Sequence, residues 1–267
     1  MPTTMGDTKY GSAWGRDELI LALYLYCQIP FAQTKASNPE VVKLAQVLGR
    51  TPSSVARKLG NFGAFDPLLT EKGIVGLVHY SKADRDIWQE FYGRWDILVE
   101  ESQKLLVGGT AGTIFAPELE PETLPDLVLP IGPTTQPRLV MTRMHQSFFR
   151  KAVLASYGNR CCLCGMELKP LLVGSHIKPW SVASEEERTD PENGLCLCVL
   201  HDKAYDRGLL TVTTDYQVVV STAVKKSTVK FTQLTLTDFD NQPIQMPGRF
   251  APKPEYLQWH REKVFQG

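Results

Sequence analysis

The chain has no apolar stretch long enough to span a membrane as a helix. Its longest such run, Leu19 to Cys27, falls well short of the roughly 20 residues required. It has no net charge either: 29 Lys and Arg balance 29 Asp and Glu. This excludes a protein coated in basic residues for polyanion binding, though not one with a local basic face. The segment Met1-Pro2-Thr3-Thr4 lacks the basic-then-apolar pattern of a secretory leader, so a soluble, cytoplasmic protein without a membrane partner is expected. Cysteine is almost missing from the first 160 residues, where Cys27 stands alone. The other cysteines lie in two tight clusters, which is not the spread of a disulfide-stapled secreted domain. The composition, 43% hydrophobic and 22% charged over 267 residues, is that of a folded chain with room for two domains.

Lys and Arg are also absent from residues 107–137, which are rich in Pro, Gly and Thr and carry Glu118, Glu120, Glu122 and Asp126. That stretch is a linker by composition. It divides an N-terminal domain, 1–106, from a C-terminal one, 138–267. The first has 12 basic and 12 acidic side chains and the second has 17 and 13, so the neutral total conceals a mildly basic C-terminal half.

The N-terminal domain reads as helical. Asp17-Glu18 opens one helix, Asn38-Pro39 caps and starts another, and Thr51 or Ser53 caps a third. A last helix is predicted from Lys82 to about Lys104. The second and third helices, split by Gly49-Arg50-Thr51, have helix-turn-helix spacing. In one reading Arg57, Lys58 and Asn61 face outward to meet DNA; in the other the two helices simply pack together. In the C-terminal domain Arg143–Tyr157 has a helical pattern. Leu171–His176 and Gly194–Cys198 are strand-like, His201–Asp206 opens a helix, two further strands flank Thr213-Thr214-Asp215, and the tail is helical. An α+β protein is expected.

The chemistry is concentrated between Cys161 and Leu210. A strand ends in His176, a polar loop leads to Asn193, a second strand follows, and a helix opens at His201. A hairpin packed on a helix is expected to bring His176 and His201 to one cleft. Phosphodiester hydrolysis uses such a set: a neutral imidazole to deprotonate water, and a divalent ion to neutralise the phosphate. Cys161, Cys164, Cys196 and Cys198 suit either a structural Zn²⁺ or a reduced apolar core.

Three strings here, Ser175-His176-Ile177-Lys178-Pro179-Trp180, Pro191-Glu192-Asn193-Gly194-Leu195 and His201-Asp202-Lys203-Ala204-Tyr205-Asp206-Arg207-Gly208, resemble the HNH, or ββα-metal, endonucleases, in their restriction-type branch. The resemblance implies His176 as general base, Asn193 as loop anchor, His201 as ligand of a catalytic Mg²⁺ or Mn²⁺, and Asp206 and Asp202 as further ligands. Lys178 and Arg207 would contact phosphate. Many of these nucleases carry Asp before the first His, where this chain has Ser175. The implied function is cleavage of double-stranded DNA in restriction or phage defence, including of modified DNA, by a homodimer if the site is palindromic. The alternatives are an RNA-cleaving or non-specific nuclease effector, and a nucleic-acid-binding module that has lost catalysis.

Overall fold

A computed structural model describes residues 11–74, 80–107 and 135–267. They divide into two compact units, Met1–Phe148 and Phe149–Gly267. Nearly all of the expected linker, 108–134, lies outside the described residues.

The first unit is built of helices α1 (Arg16–Gln28), α2 (Pro39–Leu48), α3 (Pro52–Phe62), α4 (Pro67–Glu71), α5 (Lys82–Phe91) and α6 (Trp95–Val107). Helix α1 is the hub, packing against α2, α3, α5 and α6. It buries Leu19 to Leu23, Leu25, Tyr26 and Cys27, which is why it reads as apolar on almost every face. The caps lie where their side chains place them. Asn38 accepts the Glu40 N–H, Thr51 accepts the Ser54 N–H, and Ser81 forms a capping box with Asp84. The helix predicted from Lys82 to Lys104 is two helices, α5 and α6. The break falls at Gly93, whose φ of 78° lies in the left-handed region open to glycine. The apolar spacing continues across the break, so periodicity alone does not reveal it.

The division between the units falls within α7 (Thr135–Ser156). The second unit continues with β1 (Leu172–His176), α8 (Glu185–Thr189), β2 (Gly194–Cys198), α9 (Val199–Asp206), β3 (Leu210–Val212), β4 (Val218–Val220), α10 (Thr222–Lys225), α11 (Lys230–Thr235) and α12 (Pro254–Lys263). Strands β1 and β2 form an antiparallel hairpin in which Ser175 pairs with Leu195 and His176 with Gly194; β3 and β4 form a second. Helix α9 packs on β1, β2 and β3. Glycines at 174 and 194 let α7 lie close on the hairpin's other face: a Cβ there would come within 3.0 Å of the Arg150 backbone and 2.3 Å of Val153. The hairpin is thus clasped between two helices, and its alternating residues address one or the other. Among the described residues no helix is long and apolar enough to cross a membrane.

Candidate active site and metal centre

Three histidines of the second unit share one device. Each points Nε2 at a backbone carbonyl: His176 at Arg188 (3.0 Å), His201 at Thr235 (2.8 Å) and His260 at Tyr205 (3.2 Å). A carbonyl can only accept, so Nε2 carries the proton and Nδ1 keeps the lone pair. What differs is the group that Nδ1 meets.

For His260 it is the Thr211 hydroxyl, at 2.9 Å. The ring is buried and stacked on Tyr205, so both nitrogens are satisfied and α12 is tied to β3 and α9. For His176, Nδ1 makes no hydrogen bond within the described residues. The ring is held by stacking on Phe149, 3.6 Å between centroids and 6° from parallel, and meets Trp180 nearly at right angles with centroids 5.7 Å apart. Burial lowers its pKa to about 4, so the imidazole is neutral at pH 7.

For His201, Nδ1 meets thiols: Cys198 Sγ at 3.3 Å and Cys161 Sγ at 3.5 Å, while Cys164 Sγ lies 3.9 Å from Cys198 Sγ. The four donors all lie within 4.8 Å of one another. A tetrahedral Zn²⁺, with Zn–S about 2.3 Å and Zn–N about 2.0 Å, would set S···S near ~3.8 Å and S···N near ~3.5 Å. The spacings observed are therefore those of a Cys₃His site, and Thr235 fixes the tautomer that presents Nδ1 to the ion. Local structure explains the convergence. After α7 the chain folds tightly on itself, with the Gly165 N–H donating to the Cys161 carbonyl and the Cys161 N–H to that of Met166. Cys198 caps α9, which places His201 one helical turn on, beside it.

These positions revise the sequence-based expectations. His201 stands among the cysteines instead of sharing a cleft with His176. Cys196 is not part of the quartet. It is buried in the apolar core on the α7 side, where burial pushes its thiol up to about 12. Cys196 and Cys198 do share a strand face, but the strand's rise separates their sulfurs, whereas a helical turn brings His201 to Cys198. Asn193 is fully buried and bonds only to backbone: Oδ1 accepts the Lys178 N–H, and Nδ2 donates to the Lys178 and Glu187 carbonyls. It staples the loop whose next residue, Arg188, orients His176. Lys178 is bound by both oxygens of Glu187, at 2.7 and 2.8 Å, and Arg207 is exposed.

The acids also separate. Asp190 is engaged by Lys253 at 2.7 Å and by the Tyr256 hydroxyl at 3.2 Å. Asp202 and Asp206 lie one turn apart on α9. Burial and the charge of Asp206 push the Asp202 carboxyl up to about 6, and burial also raises Asp206. In the first unit, Lys58 and Asn61 do not face outward. Both are buried and bind Asp84, at 2.7 and 2.9 Å, and of the three expected DNA contacts only Arg57 is exposed.

Residues 161–213 match the family described as HNH endonuclease. One similar solved structure is a modification dependent TagI restriction endonuclease. It is 25% identical, with a TM-score of 0.32, and the match covers 43% of this chain and 37% of that one, so this chain spans little over a third of that protein's length. No curated protein matches the chain. The family match falls on the segment that carries the His176 loop, the hairpin and α9, and the C-terminal unit therefore carries an HNH endonuclease domain.

Proposed function

We propose that the protein is a metal-dependent endonuclease that hydrolyses double-stranded DNA, with His176 as general base. The observation that carries this reading is the state of His176. Its proton is committed to the Arg188 carbonyl and its ring is clamped on Phe149. It is neutral at cellular pH, with Nδ1 free to take a proton from water attacking phosphorus. Asn193, with the Lys178–Glu187 pair, holds the loop that aims this base. A divalent ion, Mg²⁺ or Mn²⁺, would supply charge neutralisation at the phosphate and the departing oxygen.

The quartet Cys161, Cys164, Cys198 and His201 holds a structural Zn²⁺ in this reading, because three soft sulfurs and one imidazole at tetrahedral spacing suit zinc and not magnesium. The helical unit, through Arg57, would contribute to DNA recognition. Restriction or phage defence in the cytoplasm, directed at modified DNA, is the setting implied by the motif resemblance.

The test is cleavage by the wild type and by His176→Ala of unmodified plasmid, cytosine-modified DNA and single-stranded RNA, with Mg²⁺, Mn²⁺ or EDTA. Cutting of DNA that needs the metal and falls about 10²–10⁴-fold in the variant is expected. Preference for RNA would establish an RNA-cleaving effector instead. No cutting, with DNA binding retained, would make the chain a binding module.

A further inference from the structure

Helix α11 buries none of its residues, yet it carries Phe231 and Leu234, 65% and 54% exposed and three positions apart on one face. They share one groove with Leu171, ahead of β1, and with Val199 and Leu200, which open α9 and are also exposed. Five large apolar side chains about half exposed along one groove present on the order of 500 Å² of apolar surface, a size that often marks an interaction site. The ridge is held in place. Helix α11 packs on the turn at Thr237–Phe239, and the Thr235 carbonyl accepts the His201 Nε2–H, which ties α11 to α9. Little ordering is then left for association to impose. The occupant follows from the groove's chemistry. No Lys, Arg, Asp or Glu lines it, so it offers nothing to a phosphate backbone. The exposed charges that adjoin the lining residues along the chain have both signs: Lys169 and Lys230 against Asp238 and the Arg160–Glu167 pair. A strongly acidic or basic partner would meet like charge over part of this border, whereas a second copy can set each sign against the other.

We propose that this groove is the seat of a second copy of the chain, joined about a two-fold axis so that the Phe231 and Leu234 ridge of each copy packs against Leu171, Val199 and Leu200 of the other. A ridge and a trough on one patch are self-complementary, as a two-fold interface requires. Two such faces together bury on the order of 1,000 Å², which reaches the size of a specific interface. The pairing also covers the quartet, because Cys164, Cys198 and His201 line the same groove. The test is sedimentation equilibrium of the full-length, zinc-loaded chain without nucleic acid, so its failure and that of the endonuclease reading are distinguishable. A dimer at micromolar concentration is expected. Phe231→Glu, at a position that buries nothing in the single chain, is expected to weaken it at least about tenfold while zinc content and melting temperature hold. In a mixture of isotope-labelled and unlabelled chains with photoreactive benzoylphenylalanine in place of Phe231, crosslinks between copies are expected at Leu171, Val199 or Leu200.

A chain that stays monomeric at every concentration overturns the proposal, and so does a dimer that Phe231→Glu leaves intact. Crosslinks that join position 231 only to another segment of its own chain overturn it too, and assign the groove to that segment. A dimer lost in Phe231→Glu, in a chain that cuts no nucleic acid, leaves the interface standing and removes the endonuclease reading.

Discussion

The two units differ in which buried polar groups they leave unpaired. In the helical unit two buried charge clusters are paired. Arg50 donates to both oxygens of Glu18, and to the Ser12 and Ala13 carbonyls, with Trp14 lying 4.5 Å from its guanidinium. Lys58 and Asn61 meet Asp84; burial alone would raise that carboxyl, yet these bonds and the Ser81 N–H hold it below its usual value. In the C-terminal unit His260, Asn193 and Asp190 are paired, but two sets of groups are left open. His176 keeps a free lone pair, and four soft donors face one point. Closed clusters are architecture, because nothing remains for a ligand to satisfy. Open ones are where function is sought.

Four measurements can break or sharpen this contrast. The largest effect is expected at the quartet. Zinc binding commonly supplies on the order of 10 kcal/mol to a small domain. A strong chelator, or His201→Ala, should therefore abolish the cooperative unfolding of the C-terminal unit, while Cys196→Ser keeps the ion. A wild type that carries no zinc would return the quartet to a core of reduced thiols.

Next in size is Lys58→Ala, which leaves Asp84 buried and unpaired. It should cost the helical unit roughly 3–5 kcal/mol in urea unfolding. A loss below about 1 kcal/mol would mean that the pair is solvated and the cluster is not closed.

Acid should weaken the C-terminal unit by less at each group. His176 and His260 are both lowered by burial to about 4 when folded, against about 6.5 when unfolded. Between those values the unfolded chain binds more protons. The stability is fully present above about pH 6.5 and is lost as pH falls toward 4, by up to about 3 kcal/mol for each imidazole. Thermal melts of the wild type and His260→Gln from pH 7.5 to 4.5 would show it, with the variant weaker at neutral pH but shallower in its decline. A pH-independent melting temperature would contradict the burial of both rings.

The smallest effect is expected at Arg57. Arg57→Ala should weaken DNA binding a fewfold and reduce the salt slope by about one. An unchanged slope would remove the helical unit from the DNA interface.

Most elements were legible because their signals are local. Asn38-Pro39 and Thr51 mark helix starts by bonds within three residues, and the hairpin strands show as short apolar runs between turns. The HNH strings were legible for the same reason, and the family match falls on them. What stayed hidden depended on partners far along the chain. Lys58 turns inward because Asp84, 26 residues away, awaits it. His201 joins Cys161 across 40 residues. An exposed and a buried lysine look alike in sequence, and so do a catalytic and a structural histidine.

The sequence by itself determined where helices begin, the strand–loop–strand–helix order of the motif and the histidine that ends its first strand, since each is set by short-range backbone chemistry. Only the tertiary structure decided which residue of α9 faces the thiols. That choice follows from the packing of α9 against the hairpin and the turn at Cys161. Once that packing is fixed, the 3.6-residue helical period sends His201 to the sulfur quartet beside Cys198.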